Sequence, residues 1–209
     1  MLIHLIKKDI LLVSKYLIIM LAVVILFPFF ILWSNSEYTF LGFMLPAVFA
    51  VFMPLQCILM KEYKYKKASA YLCSTPYSRE YTVISKYLLC FALYVICCLI
   101  YFIETLIVSK LGNIDIELLA FTLLVMVVVC GLFLPLYYKL GYVKVKYFFS
   151  LLIVASPFLM SLTVKHIGSN ASAFFQTNTW FVWVILLVSI LLYGFSALIS
   201  VMIYKKSDL

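Results

Sequence analysis

Six long apolar runs constrain this chain more than anything else in it: residues 16–34, 39–60, 87–109, 118–138, 147–164 and 179–204. Crossing about 30 Å of hydrocarbon takes about 20 predominantly apolar residues in a helix, and each run is close to that length. A backbone in lipid must satisfy its own hydrogen bonds, which leaves helices or a closed barrel. The runs are continuous and lack the period-two alternation of barrel strands, so helices are expected. With 67% hydrophobic and 11% charged residues, the chain cannot assemble a water-facing surface, and a soluble fold is excluded. The expectation is an all-α polytopic membrane protein, one transmembrane domain over residues 1–209.

Charge sets the orientation. If the N-terminus is cytoplasmic, Lys7, Lys8, Lys15, Lys61, Lys64, Lys66, Lys67, Arg79, Lys86, Lys139, Lys144, Lys146, Lys205 and Lys206 all fall inside. Only Lys110 and Lys165 fall outside, a clear positive-inside partition that an odd number of spans would scramble. Both termini are therefore expected in the cytoplasm, and the basic excess needs no nucleic-acid partner. Arg79 is the only arginine, in keeping with an AT-rich bacterial genome and a bacterial cell membrane. Before the first run, His4, Lys7, Lys8 and Lys15 share one helical face, interrupted by Leu11, while Leu2, Ile3, Ile6, Ile10 and Val13 spread over the other. Residues 1–15 thus read as an amphipathic helix lying along the inner leaflet. The competing reading is an extension of the first span with snorkelling basic ends. No small-x-small cleavage site follows, so no removable signal peptide is expected.

Little chemistry is present in the spans. The six glycines form no G-x-x-x-x-G-K-[ST] loop, and there is no H-E-x-x-H or G-x-S-x-G motif. No C-x-x-C pair occurs among the six cysteines, and His4 and His166 lie far apart, so neither a metal nor a disulfide framework is expected. The chain reads as a non-enzyme that binds no cofactor itself. Glu104, near the outer end of the third run, is the only ionisable residue inside a span. Such residues usually mark function, which makes it a candidate for a substrate pathway; reaching the outer interface is the plainer alternative. Pro28, Pro46, Pro54, Pro135 and Pro157 interrupt four of the six runs and invite kinks.

The longest polar stretch, residues 62–81, connects the second and third runs on the cytoplasmic side: EYKYKKASAYLCSTPYSREY. Glu62 is followed by a basic run that includes Lys67, then Leu72, then Thr75-Pro76-Tyr77-Ser78-Arg79, and finally Lys86-Tyr87 entering the third run. This resembles the small six-span permease subunit of bacterial ABC-type transporters, of the ABC type two membrane class. There a glutamate after the second span precedes a leucine, a leucine-proline-x-Ser-Arg turn and a Lys-Tyr at the next span. Thr75 stands where the family usually has leucine. A second patch, Leu134 to Tyr142 with Lys144 and Lys146, is similar to the family's inside loop after the fourth span, as is Lys8-Asp9 followed by Lys15-Tyr16.

The resemblance implies a division of labour. Permeases of this family work in pairs, with an identical or a sister chain, above two ATPase subunits that bind the ATP and Mg. The loop after the second span would supply a coupling helix over residues 65–73. A helix of about ten residues is about 15 Å long and stiff enough to transmit a rigid-body push. Pro76 would end it and Arg79 would anchor the return, with Tyr142 and Lys144 as a second cytoplasmic contact. In size the chain is similar to permeases that export phenol-soluble-modulin-like toxins, which implies export of amphipathic peptides or other hydrophobic compounds. Two other readings stand beside it: a substrate-capturing subunit of an ATP-driven vitamin uptake system, and a non-transporting immunity or scaffold protein.

Overall fold

The computed structural model describes residues 2–34, 39–65, 79–108, 116–147, 149 and 179–206. Five long helices account for nearly all of them: α1 (Leu2–Ser34), α2 (Thr39–Lys64), α3 (Arg79–Ile107), α4 (Ile116–Leu140) and α5 (Thr179–Lys206). A short helical turn over 142–147 follows α4, and no strand occurs among the described residues. All five helices are long and apolar enough to cross a membrane. They correspond to the first, second, third, fourth and sixth apolar runs. The fifth, 147–164, lies outside the described residues except for Tyr147 and Phe149. Lys67, Leu72, Thr75 and Pro76 also lie outside them, as does the expected coupling helix beyond Tyr65. Pro28, Pro46, Pro54 and Pro135 are accommodated within continuous helices.

The N-terminal segment differs from its expected form. Residues 2–15 are not a separate helix; they are the first turns of α1, whose 33 residues run unbroken to Ser34. The reason is on the inward side: Leu5, Asp9 and Val13 are buried at intervals of four and dock the segment onto the bundle. At 1.5 Å per residue α1 is about 50 Å long, so its basic end projects well past a hydrocarbon core of about 30 Å.

Packing places α3 at the centre, in contact with each of the other four helices. The most extensive pairings are α4 with α5 and α1 with α2. Half or more of the apolar windows of α2, α3 and α4 is buried, against 11% for those of α1 and α5, which therefore form the periphery. At one level Phe52, Phe133 and Phe149 interlock, with Phe133 edge-on to Phe52 at 4.9 Å and to Phe149 at 5.0 Å. These are the offset and edge-to-face geometries that ring quadrupoles favour. A second cluster of Val24, Phe43, Ala47, Cys97, Tyr101 and Leu118 closes the opposite end.

In lipid, apolar burial does not drive helices together, and close packing and interhelical hydrogen bonds take over. Tyr87 of α3 shares its hydroxyl with Ser196 at 2.8 Å and Ser200 at 2.7 Å on α5. Ser196 donates to the Gly131 carbonyl of α4 at 2.6 Å, and Tyr193 donates to the Tyr87 carbonyl at 2.7 Å. A Cβ built on Gly131 would stand 3.4 Å from the Ser196 hydroxyl, an ordinary contact distance, so α4 and α5 pack closely at this level. Six hydroxyl and carbonyl groups on three helices are thereby satisfied among themselves.

Candidate functional site

Charged groups from the ends of the apolar runs converge at the basic end of the bundle. Glu62 lies in the last turn of α2, just before the polar connection, and Lys86 lies two turns into α3, just after it. Their side chains meet at 2.7 Å, with Lys86 almost fully buried. α1 supplies the rest. Lys8 Nζ is 3.1 Å from Asp9 Oδ1 and 3.9 Å from Glu62 Oε1. Asp9 itself is 99% buried, and the contact to its Oδ1 is an ion pair without hydrogen-bond geometry. Two cations and two carboxylates thus form a neutral group. That balance is what permits burial, since one uncompensated charge at this depth would cost several kcal/mol.

Tyrosines enclose the cluster. Lys86 Nζ donates to the Tyr138 hydroxyl at 3.4 Å and lies 5.7 Å from the centre of that ring. Tyr138 packs against Tyr204 of α5 at 4.9 Å and against Tyr137 at 5.1 Å. Gly141 completes the enclosure through its backbone. It adopts φ of 83°, a left-handed conformation that disfavours a side chain, and its amide donates to the Tyr137 carbonyl at 3.0 Å. This is the single-bond helix stop that glycine serves best. It ends α4 and turns the chain so that Tyr142 packs against Tyr63 at 5.6 Å and Tyr137 at 6.5 Å. Burial raises the Tyr142 phenol above its ordinary pKa, with a smaller contribution from nearby Cys57. Two further ties flank the cluster: Lys61 donates to the Leu12 carbonyl, and Lys205 meets Glu80 at 2.6 Å. The second is solvent-exposed and contributes little.

The expected site residues distribute unevenly over this arrangement. Glu62 stands within the cluster, and Arg79 opens α3. Tyr142 points inward and is buried, whereas Lys144 is exposed, as are Lys139, Leu140 and Lys146 of the same patch. Glu104 is remote, eighteen residues beyond Lys86 and so about 27 Å further along α3. It is 94% buried, and neither carboxylate oxygen has a hydrogen-bond partner among the described residues. Sequence reading passed over Asp9, Lys86 and Tyr138 as site residues. The available signal was charge at the margin of an apolar run, at Lys8-Asp9 and Lys86, which topology counting absorbed as positive-inside residues.

Mechanically, the cluster ties four helices together where the α2–α3 connection leaves the bundle and returns. Through these contacts Glu62 and Lys86 are joined to Lys8 and Asp9 of α1 and to Tyr138 of α4. Long apolar helices with one such charged junction define a polytopic membrane protein organised around its α2–α3 connection.

Comparison with known families specifies the class. The profile described as ABC-2 family transporter protein matches residues 4–205, nearly the whole chain. The protein belongs to that family and is a membrane component of an ABC transporter, a family that works with ATPase partner subunits. No curated protein and no solved structure matches the chain.

Proposed function

We propose that this chain is the permease subunit of an ABC exporter and that separate ATPase subunits drive it through the α2–α3 connection. Family membership and one observation carry the reading: the buried Glu62–Lys86 contact of 2.7 Å at the root of that connection. ATP and Mg bind to the partner ATPases, two per complex, and this chain supplies no nucleotide site. It pairs with a second permease chain, identical or sister, in a bacterial cell membrane, with both termini in the cytoplasm. The connection, with Lys67, Leu72, Thr75, Pro76 and Arg79, docks on the ATPase, and Lys144 adds a second contact. Nucleotide-driven movement there shifts Glu62 against Lys86, and the cluster passes the shift to α1 and α4. Amphipathic peptides or similar hydrophobic compounds are the substrates, and Glu104 meets them within the apolar outer half of the bundle.

The test is co-purification from native membranes in mild detergent. Wild type is expected to retain a soluble ATP-binding subunit, and a Leu72→Asp/Arg79→Glu variant that inserts equally is expected to lose it. If crosslinked, folded wild type captures no ATPase, the proposal fails. Substrate-stimulated ATP turnover of the reconstituted complex addresses the pathway. Glu104→Gln is expected to lower it, and unchanged turnover would remove Glu104 from the substrate route.

A further inference from the structure

The basic end of α1 carries an open groove of about 500 Å³ lined by His4, Lys7, Lys8, Leu11 and Leu12. We propose that this groove is a binding site for an anionic phospholipid, with its headgroup phosphate among His4, Lys7 and Lys8 and its acyl chains along α1.

Charge is the first argument. In the neighbouring cluster the two carboxylates, Asp9 and Glu62, are engaged by Lys8 and Lys86 on the inward side. On the outward side Lys7 and Lys15 are exposed and have no ion-pair partner among the described residues. The groove is therefore a cationic surface with no acid of its own turned toward it. Lys8 stands between the two, lining the groove while holding Asp9.

Shape distinguishes a lipid from a soluble anion. His4, Lys8, Leu11 and Lys15 recur every three or four residues and so form one stripe along the helix. The same spacing continues through Ile18, Ile25 and Phe29, which are 68%, 43% and 41% exposed. Leu11, 65% exposed, sits among the cations themselves. From Leu11 to Phe29 the stripe is about 27 Å long, more than one leaflet's share of a core about 30 Å thick. A phosphate above and hydrocarbon below match this order of side chains, whereas free phosphate would use only its upper part.

The site is independent of the permease reading and is tested on the purified chain in nanodiscs. The probes are phosphatidylglycerol in phosphatidylcholine, and inorganic phosphate added to phosphatidylcholine alone. Phosphatidylglycerol is expected to raise the melting temperature and to remain bound in native mass spectrometry; phosphate is expected to do neither. Lys7→Gln and Lys15→Gln should each weaken the lipid about fivefold, the loss expected for one cation near an anionic surface. Leu11→Gln should weaken it too, while the exposed Lys139→Gln at the end of α4 should leave it unchanged. All four side chains are exposed, so melting in pure phosphatidylcholine checks that each variant folds. Equal stabilisation by phosphate, or an equal loss on Lys139→Gln, would overturn the proposal: the first describes a soluble-anion site and the second diffuse surface charge.

Discussion

Lys86 holds the cluster together because, among the described residues, it is the cation nearest Glu62 and is itself almost fully buried. Lys86→Met keeps much of the volume but leaves Glu62 and Asp9 sharing only Lys8. Removing one partner of a buried pair costs about 3–5 kcal/mol, and that loss is expected in reversible unfolding in mixed micelles. Glu62→Gln added to Lys86→Met should recover part of it, since the remaining buried charge is then smaller. A double variant less stable than either single one would show that the two residues act separately. At this scale the sequence was partly legible. Glu62 stood out through the polar stretch it opens, whereas Asp9 and Lys86 sit beside apolar runs where a charge looks like the end of a span.

Helix α1 is the element whose form departs most from its sequence pattern. Its polar face suited a helix lying on the leaflet, but that pattern records only which residues avoid hydrocarbon. The buried row of Leu5, Asp9 and Val13 makes it part of the bundle. Spin labels at His4→Cys and Ile25→Cys, with the native cysteines replaced, should therefore lie about 32 Å apart along one straight helix. A right-angled elbow near residue 15 would bring them to about 22 Å, and that distance would contradict a continuous α1. Among α3, α4 and α5 the interhelical hydrogen bonds set the contact. Tyr87→Phe removes the hydroxyl that meets both Ser196 and Ser200 and should destabilise by about 1 kcal/mol. Stability equal to wild type in the same micelle assay would mean that close packing at Gly131 alone fixes these helices.

For the whole molecule the question is topology. Single cysteines replacing Lys110 or Lys165 are expected to react with an impermeant maleimide added to intact cells. Cysteines replacing Lys64, Lys139 or Lys206 should react only after the membrane is opened. Labelling of Lys206→Cys from outside would break the positive-inside assignment and the even number of spans with it. A cluster at one end and a buried Glu104 at the other give the bundle two chemically distinct ends, joined by α3.

Helical class, the number of apolar runs, the likeness of Glu62 to Arg79 to a coupling connection and the ABC transporter family were all determined by the sequence. Each depends on local hydropathy, spacing or motif, which a linear reading preserves. The partnership of Lys8, Asp9, Glu62, Lys86 and Tyr138 was decided only in the tertiary structure. These residues come from four helices, and Asp9 and Tyr138 are 129 positions apart. Nothing in hydropathy relates such positions until the helices pack and one neutral group becomes the arrangement in which Asp9 and Lys86 can be buried.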